Sequence, residues 1–119
     1  MDNTDLRPIQ LKIVTKKGET KGKKFEGIPL GRSWNKRSTS DRFKRTVEIY
    51  QIAEEEFIIY AKYHDKDGNL SLADYVKISS LDLFNVQSSL KQAGLYSGPF
   101  YSEAVYHAFD ALQKLEHFS

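Results

Sequence analysis

The run Phe43-Lys44-Arg45-Thr46-Val47-Glu48-Ile49-Tyr50-Gln51-Ile52, then Ala53-Glu54-Glu55, then Phe57-Ile58-Ile59-Tyr60-Ala61-Lys62-Tyr63-His64, decides the fold. Its first part alternates. Phe43, Arg45, Val47 and Ile49 fall on one face, and Lys44, Thr46, Glu48 and Tyr50 on the other, which is the period of a strand. Ala53-Glu54-Glu55 turns the chain back. The second part is apolar on both faces, which predicts a strand in the middle of a sheet, covered on each side. Asp67-Gly68 is a strong hairpin signal, because the tight turns that join strands need residues tolerant of positive φ. It leads into a further strand from Leu70 to Ile78.

Toward the N-terminus, Ile9, Leu11 and Ile13 alternate with Gln10, Lys12 and Val14, a half-buried strand. Lys16-Lys17-Gly18-Glu19 reads as a turn and Lys24 to Leu30 as a return strand. Gly31 to Arg42 is polar and rich in Ser, Thr and Asn, so it reads as a long exposed loop. Toward the C-terminus the period changes. Ser79 with Asp82 three residues on resembles a capping box, and Leu81, Phe84, Leu90 and Gly94 outline a helix ending at that glycine. Ser102 opens a second helix, with Val105, Ala108, Phe109, Leu112 and Leu115 on one stripe and His107, Asp110, Gln113, Lys114 and Glu116 off it. Strands first and helices last predict an α+β fold. An antiparallel sheet of about five strands would have two C-terminal helices covering one face and the other face partly wet.

The chain has 119 residues, 39% apolar and 29% charged, without repeats or low-complexity tracts, so a single domain over 1–119 is expected. It has no cysteine, which excludes disulfides, thiolate zinc sites, iron–sulfur clusters and cysteine nucleophiles. The longest apolar run, Phe57 to Ala61, is far below the ~20 residues that span a bilayer. Met1-Asp2-Asn3-Thr4-Asp5 is acidic and has no apolar stretch behind it, unlike a signal peptide. The expectation is a soluble, cytoplasmic protein.

Charge is uneven along the chain. Residues 1–45 hold 13 Lys and Arg against five acids, a balance of +8, and residues 46–119 hold five against 11, a balance of −6. Such asymmetry marks a basic face for polyanions or an acidic face for a basic partner. Sequence halves are not spatial halves, however, and interleaved strands would average the field.

Most motifs fail on their chemistry. Asp65-Lys66-Asp67-Gly68-Asn69 offers oxygens in the order of a calcium loop, but Leu70 stands where the sharp turn needs glycine and Val76 where a bidentate glutamate belongs. Gly27-Ile28-Pro29-Leu30-Gly31-Arg32-Ser33 has too few residues between its glycines for a phosphate loop and lacks the lysine. His107 and His117 are ten residues apart on one helix, ~15 Å along its axis, so no metal bridges them. His64 beside Asp65 has no nucleophile or oxyanion donors by motif. No cofactor is called for. Tyr50, Tyr60, Tyr63 and Tyr75 are candidates for stacking bases, although core packing and cross-strand pairing account for them without a ligand.

One stretch does carry a functional signal. Gly31-Arg32-Ser33-Trp34-Asn35-Lys36-Arg37-Ser38-Thr39-Ser40-Asp41-Arg42-Phe43-Lys44-Arg45 has six basic residues, one acid, several hydroxyls and the only tryptophan. Arg and Lys neutralise phosphates, Ser, Thr and Asn donate to them, and an indole can stack a base. Arg32, Lys36, Arg37, Arg42, Lys44 and Arg45 are therefore candidate contacts to DNA or RNA, with Trp34 or Tyr50 as the stacking surface. Taken alone, Trp34 reads as a plug folded back onto the core.

Gly27 with Trp34 and its basic stretch, Val47-Glu48-Ile49-Tyr50-Gln51 and Glu56-Phe57-Ile58-Ile59-Tyr60 together resemble the middle of small bacterial proteins known as EXLDI. The resemblance covers about a third of the chain by our reading and implies a bacterial source. It carries no activity to transfer. The terminal Glu-x-Leu-Asp-Ile has no counterpart, since Ser79-Ser80-Leu81-Asp82-Leu83 lacks the glutamate. With no acid/base pair, metal set or nucleophile recognisable, the expectation is a non-enzymatic binding or regulatory protein whose ligand is nucleic acid. The alternative is a protein–protein module that uses the acidic C-terminal half.

Overall fold

Five strands and then two helices follow one another along the chain in a computed structural model that describes residues 6–35, 44–96 and 98–116. The strands are β1 (Arg7–Val14), β2 (Thr20–Trp34), β3 (Lys44–Ala53), β4 (Glu56–His64) and β5 (Leu70–Ile78), and the helices are α1 (Leu83–Gln92) and α2 (Tyr101–Glu116). The α+β expectation holds, with every neighbouring pair of strands antiparallel. The apolar β4 is central, between β3 and β5.

In the strands, two features differ from the sequence reading. First, β2 runs for 15 residues and takes in Gly31-Arg32-Ser33-Trp34, which the polar composition assigned to a loop. Its first half pairs with β1 through Thr20 to Gly27, and its second half pairs with β3 through Ile28 to Trp34. The register shifts between Pro29 and Gly31, where a residue without an N–H and one without a side chain let the strand bend. Second, the sheet closes. β1 reaches β5 through Val14 opposite Ala73, making a five-stranded barrel. Residue alternation encodes faces but not curvature, so closure was not visible in the pattern.

Closure gives the sheet two apolar sides. Inside, Leu11, Ile13, Ile58, Tyr60 and Ala73 are buried and flanked by Phe25, Tyr50, Ile52 and Tyr75. Outside, Val47, Ile49, Ile59 and Ala61 pack with Val86 and Leu90 of α1 and Ala104, Val105 and Ala108 of α2. The face expected to be partly wet is thus largely a second core.

Helix ends follow local chemistry. Asp82, not Ser79, caps α1. Its carboxylate accepts from the Asn85 amide at 2.8 Å and from the Ser80 hydroxyl at 2.9 Å. At the other end Gly94 has φ 73°, the Leu95 amide donates to the Leu90 carbonyl at 2.8 Å, and the Gly94 amide donates to that of Lys91 at 3.2 Å. This is the paired closure that a left-handed glycine permits. Phe84, one of the residues that outlined this helix in the sequence, is 75% exposed, whereas Val86 and Leu90 are in the core. In α2, Tyr101, Ala104, Val105 and Ala108 face the sheet, whereas Tyr106 and Phe109 are exposed. A Cβ built on Gly31 would lie 2.2 Å from the Ala104 carbonyl oxygen, so α2 rests directly on the β2 backbone.

Candidate nucleic-acid interface

The predicted basic cluster divides between the two faces of the β2–β3 ribbon. Arg32 and Trp34 lie opposite Glu48 and Thr46, and alternation puts Lys44 on the same face. Arg45 points to the other face, where it lines a cavity of about 390 Å³ with Tyr63, His64, Ser71 and Tyr96. The Arg45 backbone is fixed by Asn35, whose side-chain oxygen accepts from the Arg45 amide at 2.7 Å and whose own amide donates to the Arg45 carbonyl at 3.1 Å. Lys36, Arg37 and Arg42 lie outside the described residues. Trp34 is not a core plug: it is 44% exposed, with the Arg32 guanidinium 6.0 Å from its ring centre.

A polar network missed in the sequence lies beside this pair. Lys62 Nζ is 2.7 Å from Glu48 Oε2, Arg32 Nε is 3.9 Å from the same oxygen, and the Tyr50 hydroxyl donates to Oε1. Burial pushes the Glu48 carboxyl up, but the hydrogen bonds from Lys62 and Tyr50 and the charges of Lys62 and Arg32 outweigh it, and the net shift is downward. Glu48 is therefore an anion at neutral pH. Burial and the Glu48 hydrogen bond together raise Tyr50 well above the usual phenol range. His107 of α2 joins the site, its Nδ1 lying 3.1 Å from the Arg32 carbonyl oxygen. A carbonyl can only accept, so Nδ1 is the donor in this contact. Alternation had put Glu48 and Tyr50 on one face. Lys62 and His107 needed the register and the helix packing.

The tyrosines divide as well. Tyr60 is buried, its hydroxyl donating to the Lys12 carbonyl at 2.6 Å, and Tyr63 donates to the Leu95 carbonyl. Both are structural. Tyr75 stays half-exposed under Lys23, whose Nζ is 5.9 Å from the ring centre.

The larger basic surface is the β1–β2 arm. Arg7, Lys12, Lys16, Lys17, Lys21, Lys23 and Lys24 are all exposed, and among the described residues none forms a salt bridge. Three shallow depressions lie on this arm or border it. The first, about 610 Å³, is lined by Trp34, Arg32, Glu48, Tyr50, His107 and Ile9 among others. Ile9 is shared with the second, of about 560 Å³, which includes Gln10, Lys24 and Phe25. Gln10 is shared with the third, of about 550 Å³, which includes Lys12 and Lys21. The sequence signal for the arm was its lysine content, overshadowed by the denser run from Arg32 to Arg45.

Four acids of the C-terminal half fall in two separate turns. Glu54 and Glu55 sit in the β3–β4 turn, and Asp65 and Asp67 in the β4–β5 turn at the opposite end of the sheet. The Asp65 carboxylate accepts from the amides of Asp67 and Asn69, both at 2.9 Å, so it builds the turn. Among the described residues no three His, Asp or Glu side chains converge as a metal site, and no helix is long and apolar enough to cross a membrane. Set beside known proteins, the chain matches no family model, no curated protein and no solved structure.

Proposed function

We propose that this protein is a non-enzymatic binding protein for single-stranded nucleic acid. The observation that carries the reading is the set of exposed lysines on the β1–β2 arm, Lys12 and Lys24 on one face and Lys21 and Lys23 on the other, beside a depression that holds Trp34 and Tyr50. Proteins that hold single strands combine a cationic groove for the backbone with aromatic faces for the bases. Trp34 offers such a face, and Lys12, Lys21 and Lys24 supply charge that no carboxylate among the described residues neutralises. The contact set thus extends the loop expected from the sequence: Arg32, Trp34 and Lys44 remain in it, and the arm lysines join them. A cytoplasmic location belongs to the same reading, and the EXLDI resemblance adds a bacterial source.

The test is fluorescence anisotropy of a labelled twelve-nucleotide strand (the length is our choice of probe) at ~50 mM salt, where even non-specific polyanion binding is strong. Wild type should bind, and alanine at Lys12, Lys21 and Lys24 together should weaken binding without unfolding the barrel. Equal affinity for wild type and triple variant would remove the arm lysines from the account.

A second reading, a protein partner, rests on the helices. Phe84 is 75% and Tyr106 58% exposed, more than α1 and α2 need for packing on the barrel.

A further inference from the structure

We infer that the depression at Trp34 is a seat for one unpaired base and that it selects guanine. This deepens the single-strand reading and rests on it. Trp34 is the one tryptophan of the chain and sits in a strand with 44% of its surface exposed, an indole face available for stacking. The same depression is lined by Glu48, an acceptor, and by Arg32, a donor. Its volume of about 610 Å³ leaves room for a nucleotide.

The chemistry of the lining discriminates among bases. Glu48 is ionised, and among the described residues Oε1 takes the Tyr50 hydroxyl, while Oε2 takes Lys62 with Arg32 Nε standing off at 3.9 Å. A carboxylate oxygen has capacity for about two donors, so Oε1 can take one more and Oε2 can take one where Arg32 stands beyond hydrogen-bond distance. Guanine alone presents two adjacent donors, N1–H and the N2 amine, at the spacing of a carboxylate. Adenine and cytosine present one amine each, and thymine or uracil a single N–H between two carbonyls. Arg32 beside the indole then faces the O6 and N7 acceptors that a guanidinium pairs with. Tyr50 and Lys62 fix the carboxylate before the base arrives, so little ordering is left to binding.

The experiment uses seven-nucleotide thymidine strands with dG, dA, dC or dT at the centre, titrated into the full chain. Trp34 fluorescence and the anisotropy of a 5′ label are both recorded. Stacking should quench the single tryptophan saturably. The dG strand should bind roughly tenfold or more tighter than the dT strand, the lower range for a bidentate base contact. Glu48→Gln should erase that preference while leaving the quench by the dT strand. Trp34→Leu, at an exposed position that the fold does not need, should weaken the dG strand at least roughly fivefold by anisotropy, the loss of one stacked base. Binding of all four strands with equal affinity, or with Trp34 emission unchanged, would overturn the guanine seat and leave the single-strand reading standing. Absence of anisotropy change with every strand would overturn both.

Discussion

Replacing Gly31 by alanine tests how α2 is held against β2. The added Cβ would meet the Ala104 carbonyl oxygen at 2.2 Å and the Ala108 amide nitrogen at 2.9 Å. Both are backbone atoms of a helix that cannot swing away as a side chain would, so strand and helix must part by close to ~1 Å to restore contact distance. Overpacking of a tight interior costs about 1–3 kcal/mol, and the alanine recovers about 0.4–1 kcal/mol through the unfolded chain. A net loss of about 1–2 kcal/mol corresponds to a melting temperature lower by roughly 3–10 °C for a domain of this size. Thermal denaturation followed by far-ultraviolet circular dichroism reads it out. Gly22→Ala is the matched control, because its nearest neighbour is the Gln10 amide nitrogen at 3.8 Å, an ordinary contact. An unchanged or higher melting temperature for Gly31→Ala would refute the close approach and, with it, the positioning of His107 over the Arg32 carbonyl.

Three further outcomes follow from burial and charge. Leu90, 1% exposed in the core between α1 and the sheet, should cost about 2–5 kcal/mol as Leu90→Ala in urea denaturation. Glu48 titrates below its ordinary value of 4.5 in the fold, so its contribution to stability is complete above 4.5 and disappears as pH falls through the folded value. The urea midpoint should fall less steeply with acid in Glu48→Gln than in wild type. Tyr60, raised by burial and by the Glu48 charge to about 12, should stay protonated in an ultraviolet titration well above pH 10, with the stability it contributes lost as pH climbs toward that value.

Much of the fold was legible because β3, β4 and β5 carry clean patterns. Val47 and Ile49 against Glu48 and Tyr50, and the doubly apolar run from Phe57 to Ala61, leave few alternatives. Gly94 marked the end of α1 because a left-handed residue is needed there. The end of β2 was illegible for the opposite reason. Gly31, Arg32 and Ser33 have no preference for a strand, and they adopt one because β3 pairs with them and α2 covers Gly31. Site composition was half legible. Arg32, Trp34 and Lys44 come from the basic run, but period two already separates Lys44 from Arg45, a split the one-dimensional cluster concealed. Lys62 reaches Glu48 only once β3 and β4 are in register, and His107 reaches Arg32 only once α2 has docked.

The most direct test of nucleic-acid binding is the salt dependence of affinity for a single strand. Each cation that neutralises a phosphate releases condensed counterions, which gives a slope of log K against log salt of about −0.7 per contact. If three to five of Lys12, Lys21, Lys24, Arg32 and Lys44 engage the backbone, the slope should lie between about −2 and −3.5. The variant with alanine at Lys12, Lys21 and Lys24 should be shallower by up to about 2. No retention of single-stranded DNA or RNA at ~50 mM salt, or a slope that the triple variant leaves unchanged, would contradict the account.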